Sequence, residues 1–319
     1  MKNLMLRYVN DIKNHFASDF EKYSYLYILF LTTALITVNY TFSFEKKIIL
    51  PFFGTGKGFL IYFMYYAVPY FLAIIPFLML RKKAILLTQS TFWMKSLVLI
   101  AVLAFTASFD FFPLLKRMLS PDSDESKFIL KLLSFSKRIV PYFFTIGLLY
   151  FLFDKNEKNY YGLRISGINY KPFIVVILFM IPAVGAVSFL PGIRNYYPQF
   201  KYWEFHQVYG LNHLEMNFLF LICYIADFVS IELFFRGALV LGMLSVLGKE
   251  GVIPAAVLYV VIHFGKPVGE TISSFFGAYI LSVLSLKYKN ISAGILVHAA
   301  LAFYIEIATI VQHSIQLVN

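Results

Sequence analysis

Long apolar stretches alternate with short polar breaks along almost the whole chain. A helix that crosses a bilayer needs roughly 20 mostly apolar residues. By that criterion the pattern predicts about nine spanning helices, with the ranges 24–41, 59–80, 97–115, 128–153, 173–190, 216–237, 254–264, 268–286 and 291–311. Lys131, Lys137 and Arg138 interrupt the fourth range, which is either one span or an interfacial helix followed by a shorter span. The seventh is short, so we expect roughly eight to ten spans.

The composition agrees with this pattern. The 319 residues are 60% hydrophobic and 14% charged, and the mean hydropathy is +0.72. A soluble domain carries roughly 25% charged residues. The predicted fold class is therefore all-α, a polytopic transmembrane helix bundle. Cys223 is the only cysteine, which excludes an intrachain disulfide.

The net charge of +11 would also suit a nucleic-acid-binding protein. The basic residues, however, flank the apolar stretches, as Arg81, Lys82 and Lys83 do. That placement is typical of segments next to anionic lipid headgroups. We therefore expect membrane lipids as partners and no nucleic acid.

The amino terminus is basic and carries no apolar run before residue 24. A cleaved signal peptide would contain such a run, so the first span is expected to act as an uncleaved anchor. Lys and Arg in alternate loops number about 15 on the amino-terminal side and about 9 on the other, which favours a cytoplasmic amino terminus. We expect an integral protein of the bacterial cytoplasmic (inner) membrane.

Ionisable residues divide the chain into segments. Spans before the polar break at 154–171 are predicted to be almost free of buried ionisable groups, with Asp110 as the main exception. We therefore expect an amphipathic, cytoplasmic amino-terminal segment, scaffold helices, a working core and a carboxyl-terminal tail. Their ranges are 1–23, 24–153, 160–311 and 312–319.

The later spans contain Asp227, Glu232, Arg236, His263 and His298. A charge at membrane depth is costly, and such residues usually face a protein or water-filled interior and mark a functional path. Glu232 and Arg236 are four residues apart and share one helix face, where the arginine would keep the carboxylate ionised. The pair is either functional or a structural ion pair. Asp227 points to another side of the helix and is expected to make a different contact.

A sharp corner is predicted after His263. Gly265 and Pro267 should end the helix, and Pro267 suits the first turn of the next helix. Glu270 would then lie in that same turn, so His263, Lys266 and Glu270 should cluster at the corner.

His298 lies in mid-span among small residues that permit close helix approach, so we expect it to point at another helix. Two histidines and a carboxylate from three helices suit two kinds of chemistry. They can hold zinc with an open position for water, or they can activate water by general base catalysis without a metal. The spacing matches no contiguous zinc motif such as HExxH, and it does not decide between the two.

These residues resemble the motifs of the CAAX-protease and bacteriocin-processing family of intramembrane proteases, also called abortive-infection proteins. That family has a paired-glutamate motif EExxxR, a later FxxxH and a final HxxxN or HxxxD, each on a membrane helix. Glu232 and Arg236 fall on the second glutamate and the arginine, and His263 and His298 fall on the two histidines. Tyr259 replaces the phenylalanine of FxxxH. The resemblance covers roughly residues 160–311.

Two positions depart from the family pattern: Ile231 replaces the first glutamate and Ala302 replaces the final Asn or Asp. The resemblance implies a glutamate and a histidine that activate water against a peptide bond, with a histidine and an asparagine binding the oxyanion, so this chain lacks one partner from each half. Glu232 or Glu270 would be the base, and His263 would share that work. Arg236 would orient Glu232, and His298 would donate to the oxyanion.

The first hypothesis is accordingly a membrane-embedded endopeptidase that cleaves a membrane-associated peptide or protein. The resemblance implies no cofactor, although zinc stays open as the less favoured alternative. The departures at Ile231 and Ala302 motivate a second hypothesis, an inactive family member that acts as a membrane binding scaffold. Buried charges alone motivate a third, an ion-coupled transporter, and the lack of a visible internal repeat counts against it.

Overall fold

The structure is a computed structural model that describes residues 2–115, 120, 123–157 and 159–318. The protein is 80% helical, and the described residues contain no β-strand. Within them, seven helical segments have the length and hydropathy to cross a bilayer, and a shorter apolar helix covers Lys171–Val187. The predicted all-α polytopic bundle is confirmed, and the protein is an integral membrane protein.

The α-helices are labelled in chain order. The first seven are α1 (Lys2–Asp19), α2 (Lys22–Phe42), α3 (Gly58–Leu80), α4 (Ser90–Ser108), α5 (Phe112–Leu115), α6 (Asp124–Ser136) and α7 (Ile139–Leu149). The others are α8 (Lys171–Val187), α9 (Pro191–Tyr196), α10 (His213–Glu232), α11 (Leu244–Leu247), α12 (Val252–Val261), α13 (Val268–Tyr288) and α14 (Ser292–Val318). π-Helical turns cover Glu45–Ile49, Tyr150–Asp154 and Leu233–Leu241.

The number of spans differs from the sequence prediction for local reasons. The predicted span 216–237 and most of the predicted span 254–264 lie within one apolar helical stretch, His213–Val261, of 49 residues. The α12 part has 10 residues, about 15 Å of helix, whereas the hydrocarbon core is about 30 Å thick. The predicted span 128–153 lies within one candidate span, Asp124–Asp154, although Lys137 and Arg138 separate α6 from α7 inside it.

The described residues form two compact units that interleave along the chain. The first contains Met1–Phe109, Pro141–Asn169 and Glu232–Gly294, and the second contains Asp110–Val140, Tyr170–Ile231 and Ile295–Asn319. Neither coincides with the predicted segments 24–153 and 160–311, and the division into scaffold and working core stays a prediction.

In the first unit an apolar core joins α2, α3 and α12. Ile28, Leu31, Phe77, Ile253 and Val257 are buried together there. Lipid tails are as apolar as these side chains, so van der Waals packing rather than removal from water stabilises the unit here. This packing fixes the position of α12, the helix that immediately precedes His263.

The first unit also contains a buried ion pair that the sequence did not predict. The Lys95 ammonium, on α4, donates to the Asp154 carboxylate at 2.6 Å and to the Gly242 carbonyl oxygen at 2.7 Å. The Tyr161 hydroxyl donates to the same carboxylate. The prediction that the early spans are almost free of buried ionisable groups is therefore wrong. Asp110, the predicted exception, is half-buried and accepts a hydrogen bond from the Phe112 N–H at 3.0 Å.

A second ionic cluster connects α1 to the rest of the first unit. Arg81 contacts Asp19 at 2.9 Å and Glu250 at 2.8 Å, and Lys249 contacts Asp19 at 3.1 Å. Burial alone would raise the pKa of the Asp19 carboxyl, but the charge of Arg81 and the neighbouring donors lower it below its usual value. Arg81 thus binds protein carboxylates, although its position in the sequence suggested lipid headgroups.

The second unit has an aromatic core between α6, α10 and α14. Phe128, Phe200, Phe220, Phe228 and Ala302 are buried in it. Phe200 comes from the polar, aromatic segment 191–213, which is thereby anchored to the helices.

Candidate active site

Glu232 and Arg236 form an ion pair in the first unit, as their spacing predicted. Glu232 is the last residue of α10, and Arg236 lies in the π-helical segment Leu233–Leu241. Arg236 Nη1 lies 3.0 Å from Glu232 Oε1, and the two side chains are 1% and 0% exposed. A carboxylate so deeply buried is stable in its charged form only beside a cation. The guanidinium therefore pairs with Glu232 and orients its carboxyl group.

Gly294, near the start of α14, allows this carboxylate to approach the helix. A Cβ atom added at Gly294 would overlap Glu232 Oε2 and lie 3.2 Å from Glu232 Cδ. Only glycine leaves room for a carboxylate at that distance. Gly294 therefore permits a close approach of α10 to α14, as the small residues in this stretch predicted.

Tyr259 links the ion pair to His263. The Arg236 guanidinium lies 4.4 Å from the centre of the Tyr259 ring, a distance at which a cation and an aromatic face attract each other. The Tyr259 and His263 ring centres are 4.5 Å apart. The first unit thus contains a chain of contacts that runs from Glu232 through Arg236 and Tyr259 to His263.

The orientation of the His263 ring is set by the backbone. His263 Nδ1 lies 2.8 Å from the Tyr259 carbonyl oxygen. A carbonyl oxygen only accepts hydrogen bonds, so Nδ1 must donate. In the neutral ring Nε2 is then the nitrogen that carries the lone pair, as a general base requires.

The predicted corner after His263 is present. Pro267 precedes α13, and Glu270 lies in the first turn of that helix. The Lys266 ammonium donates to Glu270 Oε1 at 2.6 Å. Thr271 Oγ1 donates to the His263 carbonyl oxygen at 2.8 Å, which ties the two helices together across the turn.

Glu45 is a further carboxyl group at this corner, and the sequence analysis missed it. Gly265 has a φ of +87°, and a Cβ added there would lie 3.2 Å from Glu45 Oε2. The backbone conformation therefore favours glycine at this position, and an added Cβ would be in tight contact with the Glu45 carboxyl group. Burial raises the pKa of the Glu45 carboxyl. No signal in the sequence distinguished Glu45, because it lies in a loop beside Lys46 and Lys47.

His298 belongs to the second unit. The ring centres of His298 and Phe228, on α10, are 4.3 Å apart, so His298 points at another helix as predicted. Asp227 makes a different contact from Glu232, an ion pair with Arg138. Glu306, further along α14, accepts the Gln199 backbone N–H at 2.9 and 3.0 Å.

The five predicted catalytic residues are therefore distributed over both units. Glu232, Arg236 and His263 are linked through Tyr259 in the first unit, and Glu270 lies at the adjacent corner. His298 lies in the second unit, and its convergence with the other four stays a prediction. The residues that the structure describes contain no group of three or more His, Cys, Asp or Glu side chains arranged to hold a metal ion.

The two positions that depart from the family pattern lie in the interior of the protein. Ile231 and Ala302 are both buried, Ala302 within the aromatic core of the second unit. Neither side chain has an atom that accepts or donates a proton. Neither position can therefore supply the general base or the polar oxyanion contact of the family pattern.

Comparisons with known proteins identify one family. No curated protein and no solved structure matched the chain. The matching family model covers the five predicted catalytic residues but less than a third of the chain, and it confirms the resemblance for that segment. Residues 213–304 are similar to the Rce1-like family of type II CAAX prenyl endopeptidases, whose model they match.

Proposed function

We propose that this protein is a membrane-embedded endopeptidase that hydrolyses a peptide bond of a membrane-associated peptide or protein. The main support is the buried Glu232–Arg236 pair, which connects through Tyr259 to a histidine of fixed orientation. All these residues lie within the segment that matches the endopeptidase family.

In this mechanism Glu232 accepts a proton from water while the water oxygen attacks the peptide carbonyl carbon. The proton then passes to the leaving amine as the C–N bond breaks, so the products are one carboxylic acid and one amine. Arg236 orients Glu232 and holds its charge. His263 shares the proton through Nε2, and His298 donates a hydrogen bond to the oxyanion. Glu270 is the alternative base, since it lies beside the same turn as His263.

A cleavage assay in lipid nanodiscs tests this function. The substrates are a farnesylated CAAX-type peptide and an unmodified membrane-proximal peptide, and mass spectrometry identifies the products. We expect Glu232→Gln and His263→Ala to lower kcat by at least about 100-fold, because general base catalysis supplies about 10²–10⁴-fold. Glu125→Gln and His15→Ala make the same changes outside the site and should leave the rate unchanged. Equal cleavage by the wild type and by both site variants would refute the proposal.

A second candidate function is binding without cleavage. The isoleucine at position 231 and the alanine at 302, both buried, favour it. In that case the wild type would bind the same peptides without forming products, and Glu232→Gln would leave the affinity unchanged. The bacterial cytoplasmic membrane and the cytoplasmic amino terminus stay predictions that protease protection of a tagged amino terminus would test.

A further inference from the structure

A cavity of about 560 Å³ opens in the first unit, where the turn after α3 faces the segment before α12. Lys82, Lys83, Ile85 and Leu86 line one wall, and residues 244–250 line the other. The proposed reaction uses none of these residues. The cavity is therefore a candidate for a second binding site.

The turn that forms the first wall lies at the ends of two candidate spans. The span Gly58–Leu80 ends just before it, and the span Ser90–Ser108 begins just after it. Trp93, near the start of α4, donates its Nε1–H to the Leu87 carbonyl oxygen at 2.7 Å, and tryptophan is enriched where a membrane meets water. Ile85 is 72% exposed. The cavity therefore opens at the level of the lipid headgroups.

The side chains at or beside the cavity carry a net positive charge. Four of them are basic and two are acidic, which gives an excess of two positive charges, and they are Arg81, Lys82, Lys83, Lys249, Asp19 and Glu250. Each carboxylate pairs with Arg81 and with one lysine. Lys82 is exposed, and no carboxylate among the described residues pairs with it. The excess charge suits an anionic ligand.

We propose that this cavity binds the phosphate group of an anionic phospholipid, with Lys82 as its cationic contact. A lysine ammonium binds phosphate as a point charge, and basic pockets beside membrane spans attract anionic headgroups. The walls also contain Ile85, Leu86 and Leu244, which suit the acyl chains that a free phosphate ion lacks. The ligand is therefore a lipid of the surrounding leaflet, and its binding does not depend on the proposed function.

Quenching of Trp93 fluorescence by brominated lipids tests this proposal. The chain has two tryptophans, so Trp203→Phe leaves Trp93 as the only reporter, hydrogen-bonded to the residue after Leu86. The full chain in neutral detergent micelles is titrated with brominated phosphatidylglycerol or with brominated phosphatidylcholine. The apparent Kd for phosphatidylglycerol should be lower by at least about fivefold, because each basic residue near an anionic headgroup contributes about that factor.

Two lysine variants in the Trp203→Phe background separate this cavity from a general effect of charge. Lys82 follows the end of α3 and Lys57 precedes its start, and both are exposed. Lys82→Gln should raise the apparent Kd for phosphatidylglycerol about fivefold and leave that for phosphatidylcholine unchanged. Lys57→Gln removes the same charge outside the cavity and should leave both values unchanged.

Equal apparent Kd values for the two lipids, or the same change in Lys82→Gln and Lys57→Gln, would overturn the proposal. Inorganic phosphate, added as a competitor, distinguishes the two sources of a phosphate group. It should leave the quenching by brominated phosphatidylglycerol unchanged, because it makes no contact with the apolar part of the walls. Displacement of the lipid by inorganic phosphate would show that the cavity takes the free ion and would refute the lipid assignment.

Discussion

Gly294→Ala is the most specific perturbation of the candidate site. It adds a single methyl group to α14, and that group would occupy the space of the Glu232 carboxylate. The substitution changes no charge and removes no hydrogen-bonding group. Its effect therefore reports directly on whether the carboxylate lies where the structure has it.

The expected magnitude follows from the overlap. Glu232 Cδ would be 3.2 Å from the new Cβ and Oε2 would be closer still, so the carboxylate has to move by about 1 Å. A displacement of about 1 Å can lower an enzymatic rate about 100-fold. Overpacking costs about 1–3 kcal/mol, and replacing glycine by alanine in a helix returns about 1 kcal/mol. The free energy of unfolding should then fall by only about 0–2 kcal/mol.

Peptide cleavage and denaturant unfolding in the same nanodiscs or micelles measure the two effects. Gly277→Ala, on α13, is the matched control because an added Cβ meets no atom within 4 Å there. We expect this control to keep full activity and to gain up to about 1 kcal/mol from helix propensity. The cleavage rate of Gly294→Ala should be about 100-fold lower than that of this control.

A double-mutant cycle identifies the clash as the cause. In a Glu232→Ala background the carboxylate is absent, so Gly294→Ala should no longer destabilise the protein and should add about 1 kcal/mol. Activity of Gly294→Ala equal to that of Gly277→Ala, or the same destabilisation with and without Glu232, would refute the reasoning.

Two other predictions concern ion pairs in the first unit. Lys95→Met leaves Asp154 buried without its cation and should lower the free energy of unfolding by about 3–5 kcal/mol. Adding Asp154→Asn should restore part of the lost stability. A double variant that shows no recovery in denaturant unfolding would contradict this prediction. The folded-state pKa of Asp19 lies below its usual value, since Arg81 and neighbouring donors outweigh burial. Its stabilisation is therefore complete above the unfolded-state pKa of about 3.9 and is lost as the pH falls through the lower folded-state value. Unfolding measured from about pH 6 to 3 should show an acid-dependent loss that Asp19→Asn reduces, and identical pH curves would contradict the assignment.

The sequence predicted best what depends on neighbours along the chain. Glu232 and Arg236 are four residues apart, so a helix brings them together whatever surrounds it. Pro267 cannot continue the preceding helix and suits the start of the next, which placed Glu270 correctly. The family match at residues 213–304 rests on the same local spacings.

Contacts between distant segments were not predictable in this way. Lys95 stood just before a predicted span and was not identified as buried, because its partner Asp154 is 59 residues away. Glu45 is separated from Gly265 by most of the chain. The π-helical turn at Leu233–Leu241 was missed as well, since hydrophobic periodicity assumes 3.6 residues per turn and does not register one wider turn.

The alternation of the two units along the chain limits how the protein can be divided. Each unit is assembled from three separate stretches, so no single cut releases either of them whole. A fragment of residues 160–311 would carry every predicted catalytic side chain, yet it would lack Lys95, which holds the Gly242 carbonyl at the end of the Arg236 segment. Such a fragment should fail to assemble, whereas a chain nicked in a loop and kept as both pieces should reassociate and regain its shape.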